Sequence, residues 1–138
     1  MVTSASYLVE YLTTLLRVGM PGAAAEWKRA FDRAIDAHDF RLCDTLLREV
    51  KRFRLAMADL AQVRRQEGRF HHLRHEWETA ISCFQQSLSL FDVLGDVRNQ
   101  SLVLSELGED LHRAGEWDEA LQCYQRALEL DQQLDDKN

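Results

Sequence analysis

Apolar residues recur at helical spacing along most of this chain. Leu104, Leu107 and Leu111 share one face with Gly108, and Ala120, Tyr124 and Ala127 form a facing stripe thirteen residues on. Near the start, Tyr7, Leu8, Tyr11, Leu12, Leu15 and Leu16 make a wide apolar stripe. This pattern predicts seven helices, over about 4–18, 23–38, 40–53, 56–70, 76–94, 96–114 and 117–134. The run Gly19-Met20-Pro21-Gly22 ends the first helix, and Gly95 and Asp96 supply a stop and an N-cap. Gly115 is a further stop, with Trp117 opening the last helix. No breaker stands near 53–56, so one long helix there is an alternative. Residues 69–75, Arg-Phe-His-His-Leu-Arg-His, read as a loop that turns the corner between two helices.

The chain also repeats itself. Displaced by 40 residues, 64–94 falls on 104–134 with ten identities in 31 positions. Gly68, His72, Glu76, Trp77, Ala80 and Cys83 meet Gly108, His112, Glu116, Trp117, Ala120 and Cys123, and Phe84 lands on Tyr124. Small residues at Gly108, Ala120 and Ala127 let two helices approach, and Leu107, Leu111 and Tyr124 fill the space beside them.

On these residues the segment 101–134 resembles a tetratricopeptide repeat, through Leu104, Leu107-Gly108, Leu111, Ala120, Tyr124 and Ala127. Gln132 stands where the family's closing proline is expected. The segment 61–94 matches in its second helix through Trp77, Ala80, Phe84 and Ser87, but has Glu67 where the family has leucine. A degenerate unit over 22–56 sets Trp27, Ala30, Phe31 and Ala34 against Phe40, Cys43, Leu47 and Val50. The resemblance implies an all-α, right-handed helical-repeat solenoid in a single domain. Its parts are an N-terminal helix over 3–18, repeats over 22–56, 57–94 and 96–134, and a tail over 135–138.

Composition narrows the chemistry. With one proline and six glycines in 138 residues, strand-and-turn architectures have little punctuation. No run is long and apolar enough to span a bilayer, and the first residues lack the charge pattern of a signal peptide. Three cysteines, an odd number, fit a reduced cytoplasm. Phosphate loops and nucleophile motifs are missing, so we expect no enzyme, no cofactor and no metal. His71, His72 and His75 beside Glu76 invite a metal reading, but a corner there spoils the i,i+4 geometry it needs. A shared site for Cys43, Cys83 and Cys123 lacks CxxC-type spacing.

Charge is uneven: −1 over 1–40, +5 over 41–75 and −10 over 76–138. The basic middle, with Phe53 and Phe70 among its arginines, suggests nucleic acid, but the net −6 and the acidic last third oppose it. The favoured expectation is a cytoplasmic scaffold that binds a protein or peptide in the groove lined by the first helix of each repeat. That stripe gives Leu102, Ser105, Glu109, His112 and Arg113 in the last repeat, and Gln62, Arg65, Arg69 and His72 in the middle one. In the first unit it gives Lys28, Asp32, Ile35 and Asp36. The arginines suit an acidic segment. The family's clamp for chaperone tails is matched only at Lys28, and not at Asp32, Gln66, Leu102 or Glu106. The alternatives are a homo-oligomerising module, or a chaperone of the kind that serves secretion systems. The stripes on helix 4–18 and on the last helix would supply its contacts.

Overall fold

The computed structural model describes residues 4–136. Among them are seven α-helices and no strand. The helices are α1 (Ser4–Arg17), α2 (Ala23–Asp36), α3 (Phe40–Val50), α4 (Met57–Leu73), α5 (Trp77–Leu94), α6 (Val97–Arg113) and α7 (Trp117–Asp136). Two compact units divide between Ala56 and Met57. Among the described residues no helix is long and apolar enough to cross a membrane.

In the first unit α1, α2 and α3 all pack on one another. Its core holds Leu12, Trp27, Ala30, Phe31, Ala34, Cys43, Leu46, Leu47 and Val50. Trp27 stacks on Phe31 and donates its indole N–H to the Leu46 carbonyl at 3.0 Å, so its one polar atom is satisfied inside the core. The apolar stripe of α1 is split: Leu12 is buried, while Tyr7 and Tyr11 stay exposed. Asp39 caps α3 by accepting from the Leu42 N–H at 3.1 Å. The helix ends at Val50, and residues 51–56 form a turn, a bend and irregular chain, so one long helix through 53–56 does not form.

In the second unit α4 packs on α5, α5 on α6 and α6 on α7. The small-against-large pattern sets these approaches. A Cβ on Gly68 would lie 2.6 Å from the Phe84 ring, and one on Gly108 would lie 2.8 Å from the Tyr124 ring. Ala61, Ala80, Phe84, Phe91, Val103, Leu107, Leu111 and Ala120 form the core between these helices. Each helix pair also carries a side-chain tie. Ser87 donates to the Ala61 carbonyl across α4–α5, and Ser101 donates to Asp131 across α6–α7.

The turns depart from expectation where histidine stands in place of glycine. Gly95 and Gly115 end their helices in the left-handed region as foreseen, at φ 68° and 84°. At the position equivalent to Gly115 stands His75, and it adopts the same conformation at φ 62°. The helix therefore runs to Leu73, and His71 and His72 lie on α4 rather than in a loop. His38 ends α2 in the same way at φ 54°.

The outward face of α7 is bare. Trp117, Leu121, Tyr124 and Leu128 are 67%, 57%, 38% and 62% exposed. Their counterparts on α5, namely Trp77, Ile81, Phe84 and Leu88, are buried or half-buried.

Candidate functional site: the face of α4 and α6

Side chains at a helical step of three or four share a face, which places Gln62, Arg65, Arg69 and His72 on one side of α4. Ser105, Glu109 and His112 do the same on α6, with exposed Leu102 before them and Arg113 beside them. The two rows are joined. Arg65 Nε donates to Glu106 Oε1 at 2.6 Å, with both side chains mostly buried. His72 Nδ1 lies 2.5 Å from Asp110 Oδ1, and its Nε2 lies 3.9 Å from Glu109. Arg113 is 3.9 Å from Glu109 and sits over the Trp77 ring at 5.8 Å. Arg69 Nη1 donates to Gln66 Oε1 at 2.7 Å.

Two polar atoms of this region are buried with no hydrogen-bond partner: Gln62 Oε1 and Asp110 Oδ2. Burial pushes the Asp110 carboxyl above its usual value, and the His72 hydrogen bond and charge offset part of that rise. Ser105, Glu109, His112 and Arg113 are open to solvent, whereas Gln62, Arg65, Arg69 and His72 are half-buried.

The side chains that helical spacing picks out in 57–94 and 96–134 thus lie on the α4–α6 face. Their mutual pairing has no signal in that spacing, because Glu106 and Asp110 are remote in sequence from Arg65 and His72. Lys28 belongs to the first unit and pairs with Asp32 at 3.4 Å. Ile35, expected on an exposed stripe, is 5% exposed and faces the core, so that stripe is narrower than drawn.

The histidine cluster also resolves differently. His75 leaves the helix and meets the Trp77 ring edge-on, while His71 Nδ1 lies 3.1 Å from Glu76 Oε1. Instead of its neighbours in sequence, His71 is grouped with Glu67 and Cys83. Nothing in the spacing of the cysteines among themselves signals this set.

The sequence profile of the tetratricopeptide repeat family matches residues 56–133, more than half of the chain. The chain belongs to the tetratricopeptide repeat family. The match covers α4 to α7, the helices that carry the α4–α6 face. No curated protein matches the chain. Repeats of this family generally mediate protein–protein interaction, on a fold that is typically a non-enzymatic scaffold.

Proposed function

We propose that the chain is a non-enzymatic, cytoplasmic scaffold that binds a peptide segment of another protein on the face of α4 and α6. The observation that carries this reading is the row of half-buried and exposed polar groups on two neighbouring first helices, held in place by Arg65–Glu106 and His72–Asp110. A preformed row of this kind spends little conformational entropy on binding. The partner segment is acidic: its carboxylates meet Arg69 and Arg113, and compete with Glu109 for the latter. All three cysteines are outside disulfides, in keeping with a reducing compartment.

The test uses Arg69→Glu with Arg113→Glu and leaves Arg65 in place, because Arg65 braces α6 through Glu106. A photo-cross-linker at His112 captures the partner from native lysate. The double reversal should abolish that capture and remove its salt dependence. Undiminished capture by the folded variant would refute the assignment of this face.

A second reading rests on the bare stripe of α7. A second copy of the chain is its occupant, offering the same exposed stripe of its own α7. Light scattering across a dilution series should then show a mass that falls on dilution. Leu121→Glu with Leu128→Glu should hold the chain monomeric.

A further inference from the structure

The contact between α6 and α7 contains Leu107, Leu111 and Cys123. Forty residues earlier, the same three positions hold Glu67, His71 and Cys83. Two leucine positions of an otherwise apolar layer have become a carboxylate and an imidazole, and both fall beside the same cysteine. Glu67 is 8% exposed, Cys83 is 6% exposed, and His71 is half-buried. A buried carboxylate in place of leucine opposes folding unless something compensates it. Arg64 Nη1 supplies such compensation, donating to Glu67 Oε1 at 3.0 Å. It does not account for His71 or for the convergence on Cys83.

The geometry of the three donors does. Glu67 and His71 are one turn apart on α4, and Cys83 comes from α5. One ligand atom from each lies within 4.8 Å of the others. Zinc bonds of about 2.0–2.3 Å in a tetrahedron set donors roughly 3.3–3.8 Å apart, so side-chain shifts of about 1 Å close the set. A second observation points the same way. His71 Nδ1 is 3.1 Å from Glu76 Oε1. With that nitrogen donating to the carboxylate, Nε2 keeps its lone pair, which is the carboxylate–histidine pairing that orients metal-bound imidazoles.

We propose that Glu67, His71 and Cys83 form a binding site for a divalent transition metal of the zinc type, with Glu76 as the positioning residue for His71. The mixed oxygen, nitrogen and sulfur donors suit zinc better than calcium or magnesium. Water completes the fourth position. Binding releases the Cys83 thiol proton to solvent, so apparent affinity rises with pH. The ion clamps α4 to α5 at the layer where the last repeat relies on Leu107 and Leu111.

The test uses the full chain freed of metal by chelation and titrated with cobalt(II) alone, followed by zinc(II). The expected result is one equivalent of cobalt, a thiolate-to-cobalt charge-transfer band in the near ultraviolet, and bleaching of that band by zinc. Cys83→Ser should lose the band, and Cys43→Ser with Cys123→Ser should keep it. Glu76→Gln should weaken zinc roughly tenfold while leaving the band in place. Glu67→Leu with His71→Leu installs the residues of the last repeat, Leu107 and Leu111, so it is expected to fold even where Cys83→Ser does not. It should lose the band and raise the melting temperature of the metal-free chain. No thiolate band in the wild-type chain at saturating cobalt would overturn the proposal. A band that survives Cys83→Ser or the double leucine variant would also overturn it.

Discussion

Gly68 and Gly108 occupy the same place in two repeats, yet alanine there should have different outcomes. Both are helical and backbone-compatible with alanine, which is favoured over glycine in a helix interior by about 1 kcal/mol. Against that gain stands the facing ring. A Cβ on Gly68 meets three Phe84 ring carbons at 2.6, 2.7 and 2.9 Å. Phe84 is 1% exposed and enclosed by the core of the second unit, so the ring has no room to retreat. Overpacking of this kind costs roughly 1–3 kcal/mol. With three carbons inside 3.0 Å the upper part of that range applies, leaving Gly68→Ala less stable by about 1–2 kcal/mol. At Gly108 one Tyr124 carbon lies at 2.8 Å and two at 3.1 Å. Tyr124 is 38% exposed and can tilt toward solvent, so Gly108→Ala should fall within about 0.5 kcal/mol of the wild type. Urea unfolding followed by far-ultraviolet circular dichroism measures both. Phe84→Leu in the Gly68→Ala background should recover stability relative to the sum of the single changes, which a double-mutant cycle reads directly. Gly68→Ala at or above wild-type stability, or below it by less than Gly108→Ala, would refute the idea that ring mobility decides the sign.

Three further outcomes follow from the second unit. Ala120→Leu places a large side chain at a 2% exposed position between α6 and α7, and should lower stability by about 1–3 kcal/mol in the same urea assay. Burial raises the Asp110 carboxyl above its ordinary 3.8, so the native state holds that proton to higher pH than the unfolded chain does. This group's contribution therefore falls as pH climbs from the unfolded value through the folded one, and Asp110→Asn should flatten melting temperature against pH above 3.8. A cycle of Arg65→Ala and Glu106→Ala should report a coupling of about 1 kcal/mol at low salt, since both partners are mostly buried; a coupling near zero would make the pair incidental.

Helix count and repeat register were legible because they rest on local signals. Gly95 and Gly115 mark stops that any reader of glycine expects, and Asp96 caps by accepting from the Asn99 N–H. The end of α4 was not legible, because a histidine fills the left-handed position there and its Cβ gives no warning. His38 hid the end of α2 for the same reason. The row of polar side chains on α4 and α6 could be drawn from helical spacing alone. Its pairing could not, since Arg65–Glu106 and His72–Asp110 join residues 41 and 38 apart in the chain. Glu67 looked like a fault in the repeat pattern; only the packing of α4 on α5 shows that it shares its place with His71 and Cys83.

The bare stripe of α7 bears on symmetry. Its twin on α5 is met by the inward face of α6, where Val103 and Leu107 are buried. A second molecule cannot offer that face without dismantling its own core. A like molecule can offer the same stripe, Trp117 to Leu128, with its core intact, and contact of stripe on stripe would be isologous. Each chain would use up its stripe in that contact, which by itself would close a pair rather than extend a fibre. The helix also carries Asp118, Glu119, Glu129, Asp131, Asp135 and Asp136 against Arg126 alone. Two such helices repel along their length, and added salt, by screening that repulsion, should tighten the pair rather than loosen it.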